Sequence, residues 1–180
     1  MFRITRKRLA VISSTLTIVL ALALATAASA GGPVAHRVSA GGPDACIAFG
    51  FPHPGCDGNF SLVGIVYADG SMSGQYTDRF ARGSGFHAVI DCVSIVGNEA
   101  WVSGVITNGS FTDPDTGEKF DLTGLPVSTR LRDNGTSAND PADQISFSVI
   151  GEGFAAPCTE HATGDLFDLL DAPQGQVVIK

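Results

Sequence analysis

"GFHAVIDCVSIVGNEAWVSGVIT", residues 85–107, decides the fold. In its first half Phe86, Ala88, Ile90 and Cys92 fall on one side of an extended chain, and His87, Val89, Asp91 and Val93 on the other. That spacing is the period of a half-buried β-strand. Gly97-Asn98 interrupts the run with residues suited to a tight turn, and "EAWVSGVIT" (99–107) resumes it. The stretch therefore predicts an antiparallel hairpin, 85–96 against 99–107.

The same pattern extends in both directions. Upstream, "FSLVGIVY" (60–67) and "SMSGQYTDRF" (71–80) flank the turn "ADGS" (68–71), with Met72, Gly74, Tyr76 and Phe80 opposite Ser71, Ser73, Gln75, Thr77 and Arg79. Downstream, "LPVSTRLR" (125–132) sets Leu125, Val127 and Leu131 against Ser128, Arg130 and Arg132. "QISFSVI" (144–150) sets Ile145, Phe147 and Val149 against Gln144, Ser146 and Ser148. "GQVVIK" (175–180) reads as a last short strand, and "GDLFDLLDA" (164–172) as one helical turn. The reading is an all-β protein with about seven or eight antiparallel strands in a β-barrel or β-sandwich, stapled by disulfides. Consecutive hairpins favour barrel-like closure. Residues 59–180 form the single β-domain, and 31–58, rich in Gly and Pro, an N-terminal extension.

The first thirty residues read differently. Arg3, Arg6, Lys7 and Arg8 precede an apolar run from Leu9 to Ala25, and Ala28-Ser29-Ala30 ends it with small residues. A basic, then apolar, then small-residue order predicts a signal peptide over 1–30, cleaved after Ala30. No stable membrane anchor is expected afterwards, because the apolar run is short for a span, and no cysteine follows the cleavage point to carry a lipid. The whole chain has net charge −7. Removing the leader leaves seven basic residues against 18 acidic ones, a net charge of −11. Only Arg79/Arg82 and Arg130/Arg132 cluster, so binding to nucleic acid or anionic membranes is excluded. The expected location is secreted or extracytoplasmic.

Four cysteines in an exported chain imply two disulfides, with three pairings open. Cys46–Cys56 would close the turn-rich "CIAFGFPHPGC", and Cys92–Cys158 would tie a central strand to the C-terminal region; this is the preferred pairing. A zinc site at Cys46, His53 and Cys56 has no standard spacing. The order running from a cysteine-bearing strand through a Gly-Asn turn to a strand, then "RLRDNG" before "DQISF" and a late cysteine, resembles secreted bacterial β-domains of unknown function. The resemblance covers roughly residues 60–160. It implies a compact secreted all-β domain and assigns no catalytic residue.

Two loops concentrate oxygen ligands. "LRDNGTSANDPADQISFSV" (131–149) offers Asp133, Asn134, Asn139, Asp140 and Asp143 for a calcium or carbohydrate site, although Asx turn chemistry alone accounts for this composition. "NGSFTDPDTGEKFD" (108–121) offers Asp113 and Asp115 in an order like the start of a calcium loop, without the glutamate that closes one. Ca²⁺ is the only cofactor the sequence suggests. Of His36, His53, His87 and His161, none pairs at metal-ligand spacing. His87 with Asp91 could orient a base toward Ser94 or Ser103, but no nucleophile elbow exists, since "GSMSG" has Met72 at its centre. Trp101, Tyr67 and Tyr76 would line a ligand cavity or fill the core. Asn59, Asn108 and Asn134 head formal glycosylation sequons. The functional expectation is a non-enzymatic secreted β-domain that binds a small molecule or a protein partner, or serves as a surface or matrix component. The alternative is an exported hydrolase.

Overall fold

A computed structural model describes residues 32–43, 59–79, 83–113, 115–137, 139–172 and 174–180. Their architecture is a single antiparallel sheet curled into a half-barrel. The leader, the proposed Cys46–Cys56 bridge and the zinc alternative with His53 lie outside the described residues.

The strands are β1 (Val34–Pro43), β2 (Asn59–Tyr67), β3 (Met72–Arg79), β4 (Gly85–Val96), β5 (Glu99–Thr112), β6 (Lys119–Asp121), β7 (Pro126–Arg132), β8 (Gln144–Ile145), β9 (Val149–Ile150), β10 (Leu170–Asp171) and β11 (Gln176–Ile179). Across the sheet they run β10-β8-β7-β5-β4-β3-β2-β1-β11, with β6 on β5 and β9 on β7. The hairpins expected at 60–80 and 85–107 form as consecutive antiparallel pairs. Turn chemistry sets their ends. Asp69 accepts the Ser71 N–H and hydroxyl through Oδ1, and Gly97 takes φ 63°, which a residue with a Cβ resists.

The eleven strands among the described residues exceed the seven or eight expected, and four of them account for the difference. Within "GDLFDLLDA", read as one helical turn, only Asp165–Phe167 turns, as a single 3-10 turn, and Leu170–Asp171 extends as β10 to pair with β8; the other three have reasons of their own. β1 lies inside the segment read as an extension. Only Val38 and Ala40 of its inward side chains are deeply buried and Gly41-Gly42 follow, so its alternation is nearly invisible, yet it pairs with both β2 and β11. β6 is the short return limb of the 108–121 loop. "QISFSVI" splits into β8 and β9 at Ser146, whose N–H still donates to the Arg130 carbonyl while its carbonyl drops out of the return bond. Its hydroxyl accepts the Arg130 N–H, and Phe147, expected inward, is 44% exposed.

The inner face holds the core: Val38, Leu62, Ala88, Ile90, Val102, Ile106, Val127, Leu131 and Val177 are essentially inaccessible. Gly74 and Gly104 share that face. A Cβ on either would collide with a neighbouring strand's carbonyl oxygen, at Val63 or Val89. Bare backbone there lets adjacent strands close up on the concave side, a common way to curl a sheet. Asp78 is also inward and 4% exposed, where its Oδ2 accepts from the hydroxyls of Tyr76 and Ser148.

Two bulges interrupt the β4–β5 ladder. At the first, His87 faces Asn108 while Ala88 faces Ile106, so Thr107 is the extra residue. At the second, Ile90 faces Gly104 while Cys92 faces Ser103, making Asp91 the extra residue. The second bulge overturns the face assignment read from the sequence. Strict alternation places Cys92 with Ile90 and Val93 with Asp91, whereas one inserted residue reverses the order beyond it. Val93 enters the core at 3% exposure and Cys92 turns outward.

Candidate functional site

The outer face of β4 and β5 has two unlike ends. At the Cys92 end the C-terminal segment crosses over it. The Cys92–Cys158 disulfide expected from the sequence is present, with Cα atoms 5.7 Å apart. The Cys158 N–H donates to Ser103 Oγ at 3.1 Å and the Ala156 N–H to Ser128 Oγ at 3.1 Å. Trp101, 7% exposed, donates from Nε1 to the Ala162 carbonyl at 2.9 Å, while the His161 ring lies against it at 4.6 Å. The Arg130 guanidinium sits 5.5 Å from the same indole.

Beside this clasp runs a polar ladder across four strands. Glu99 gives one carboxylate oxygen to the Arg130 fork and the other to the Arg132 fork, each with a closest approach of 2.6 Å. Arg132 continues to Gln144 at 3.0 Å, and Gln144 to Asp171 at 2.9 Å. Burial raises the pKa of Glu99, but the hydrogen bonds and charges of Arg130 and Arg132 outweigh it. The net effect holds the carboxyl below its ordinary value.

At the other end the sheet's outer face is open. Thr77, His87 and Asn108 stand side by side on β3, β4 and β5, and the next rung carries Arg79, Gly85, Ser110 and Asp121. With Lys119 these residues line a cleft of about 670 Å³, within the range of small-molecule sites. Thr77 Oγ1 and His87 Nδ1 are 2.9 Å apart. The Asp121 carboxyl is held below its ordinary value, chiefly by the N–H of Thr123, so it is anionic in the cleft at neutral pH. The Thr107 bulge is what sets Asn108 beside His87. Sequence reading singled out His87 but paired it with Asp91; its hydrogen-bond partner is Thr77 on the neighbouring strand. In the sequence Asn108 stands out only as a sequon, Arg79 only as a neighbour of Arg82 and Asp121 only as one acid of the 108–121 loop, while Thr77, Ser110 and Lys119 give no sign of a site. Their meeting depends on register across four strands.

The two acidic loops do not meet. Asp133 adjoins the start of β5, exchanging hydrogen bonds with Asn98. Asp113 follows its far end, about 40 Å of strand away. The residues nominated for calcium have other partners. Asp143, 7% exposed, accepts the Asn134 N–H through Oδ1 and the Val177 N–H through Oδ2. Asp133 accepts Gly135 and Ile179 N–H groups. Asn134 donates to the Ala142 carbonyl, and Asp140 accepts the Ser137 N–H. Val177 and Ile179 belong to β11, whose ladder partner is β1 on the opposite edge. Asp133 and Asp143 thus serve as acceptors for the free edge of the last strand, and the loop that reads as a ligand cage bridges the seam of the half-barrel. Asp113 takes the N–H groups of Asp115 and Thr116, chiefly Thr116 for its lowered pKa, in an exposed turn. Among the described residues no three His, Cys, Asp or Glu side chains converge as a metal-binding group.

Ser94 Oγ and His161 Nε2 lie 2.7 Å apart, a serine–histidine contact made without His87. His161 adopts a left-handed backbone (φ 49°) and packs on Trp101, within the clasp. No family model, no curated protein and no solved structure matches the chain.

Proposed function

We propose that the protein is an exported, non-enzymatic β-domain that binds a small polar ligand in the cleft between Thr77, His87, Asn108 and Asp121. The observation carrying this reading is the contrast in how polar groups are used. At the clasp they bond one another, whereas in the cleft hydroxyl, imidazole, amide and charged groups converge on open space of about 670 Å³. A bulge beside the cleft, at Thr107, fits a place where a sheet is re-aimed for a purpose. Export is supported by the disulfide and by the leader pattern of residues 1–30. Among the described residues no helix is long and apolar enough to cross a membrane. N-terminal sequencing of protein recovered outside the cell tests export directly, with Gly31 as the expected first residue.

The binding test is amide chemical-shift mapping against a library of small polar compounds. Shifts confined to Thr77, His87, Asn108 and Ser110, with a ligand-dependent rise in Tm, support the reading. Shifts confined elsewhere overturn it.

The hydrolase alternative has one observation in its favour, the 2.7 Å Ser94–His161 contact. Nucleophilic catalysis also needs a group that orients the histidine and donors for the oxyanion. Among the described residues the His161 ring meets Ser94 Oγ and the Trp101 indole, and neither is a carboxylate that would orient a base. Ser94→Ala separates the two readings. Hydrolysis of ester or amide probes that disappears in this variant establishes the enzyme, and unchanged ligand-induced shifts in the cleft favour the binding domain.

A further inference from the structure

The cleft does not end at Thr77. A second depression of about 390 Å³ continues along the outer face of β2 and β3, over Ser61, Val63, Ile65, Ser73 and Gln75, and Thr77 lines both. Together they follow β3 from Ser73 to Arg79, about 20 Å, and then turn across β4 and β5 to Asp121 on β6, roughly 14 Å more. We infer that the occupant is a linear, neutral oligosaccharide lying along β3, its terminal unit in the cleft and its following units in the trough. This inference rests on the cleft being a binding site.

Three features select that chemistry. The trough is lined by Ser73, Gln75 and Thr77 on β3 with Val63 and Ile65 beside them on β2, and by no charged side chain. Hydroxyls and an amide beside methyl groups match a sugar, which presents hydroxyl edges and C–H faces. In the cleft Asp121 offsets one of the two cations, Arg79 and Lys119, while the Asp78 carboxylate points to the inner face; so small an excess gives a polycation nothing to gain from entering, and the chain's net charge of −7 opposes a polyanion. An extended peptide would seek a free strand edge to pair with. β3 is bonded on both sides, to β2 and β4, leaving side chains alone to recognise the ligand.

The test is isothermal titration of the intact, disulfide-bonded protein with neutral glucose, xylose and N-acetylglucosamine oligomers, from monosaccharide to hexasaccharide. The expected result for at least one series is affinity rising roughly tenfold with chain length and then levelling off. Gln75→Ile, at an exposed position well suited to a β-branched residue, fills the trough floor without touching the cleft. It should remove that tenfold gain and leave the affinity of the shortest binding oligomer unchanged. Binding that does not depend on length, with shifts at Thr77 and His87, overturns the oligosaccharide inference while the cleft reading stands. No binding in any series overturns the inference too, and the compound library then decides the cleft separately. A change of sedimentation coefficient in Gln75→Ile, without sugar binding, overturns it in favour of contact between two copies of the chain.

Discussion

The two ends of the β4–β5 outer face are built on the same pair of strands and do opposite things with their polar residues. At the Cys92 end serine hydroxyls, an indole N–H, two guanidinium groups and a carboxylate bond one another or the C-terminal segment. At the Gly85 end Thr77, His87, Asn108, Arg79, Lys119 and Asp121 face a cleft. A sheet has two faces and needs only one for its core. The first end shows how a second face is converted into structure, and the second shows what is left when it is not. Substitutions should therefore cost stability at the first end and spare it at the second.

The largest effect belongs to the disulfide. Cys92 and Cys158 are 66 residues apart, and a loop of that length is worth about 4 kcal/mol in the chain-entropy account. Replacing both by serine should lower stability by about that amount in urea unfolding. The chain has a single tryptophan, so fluorescence reports on the clasp alone. Red-shifted Trp101 emission with the sheet's circular dichroism retained would mark local release of the 150–168 segment. Loss of both signals together would make the clasp part of one cooperative unit and weaken the contrast between the ends.

Next comes the seam. Asp143→Ala leaves the N–H groups of Asn134 and Val177 without their acceptor. Each such loss costs about 1–3 kcal/mol, so a total of about 3 kcal/mol is expected. Hydrogen exchange at the Val177 amide should speed up more than at Val102, in mid-sheet. Equal acceleration at both would mean that the carboxylate does not hold the seam locally. Added calcium tests the loop's other reading. Saturating Ca²⁺ should leave the Tm of the native protein unchanged, and a rise in Tm that Asp143→Ala removes would revive the metal site.

Residues 85–107 carried the fold because alternation survives wherever a strand has one wet face. The same rule failed where the geometry departs from it. One inserted residue at Asp91 sends Cys92 and Val93 to the faces opposite those that strict alternation assigns, and nothing in "AVIDCVSIV" marks that insertion. β1 has no visible period because one valine, one alanine and a pair of glycines do not make one. The 131–143 loop was legible as turn chemistry. Its second role, accepting N–H groups from β11 more than thirty residues later, is a tertiary fact. The cleft was the least legible of all, since its residues come from four strands and only their register gathers them.

A smaller effect comes from Glu99, and it carries a pH signature. Glutamine keeps the shape but removes the charge from two guanidinium forks, for an expected loss of about 2 kcal/mol. The Glu99 carboxyl has its pKa lowered in the folded chain. Its contribution is therefore complete above the ordinary glutamate value, near 4.3, and fades as pH falls through the lower folded value. Wild type and Glu99→Gln should differ in urea midpoint at pH 7, and the gap should begin to close once the pH falls below the ordinary glutamate value. A gap that persists undiminished into acid would assign the loss to geometry rather than charge.

The smallest effect is the most telling, because it is the open end's half of the contrast. His87→Ala and Asn108→Ala remove cleft groups whose surroundings are solvent on one side and paired backbone on the other. His87 loses one hydrogen bond, to Thr77. Asn108 is an exposed residue of β5. Substitutions of this kind sit within about 0.5 kcal/mol of wild type, at most about a quarter of the change expected at Glu99. If chemical denaturation finds these values, the convergence of polar groups at the cleft is not maintained for the sake of the fold, and a ligand is the remaining reason for it. A loss of about 2 kcal/mol at His87 would mean that the imidazole is a structural strut like His161, and that the two ends of the sheet differ only in how visibly they are clasped.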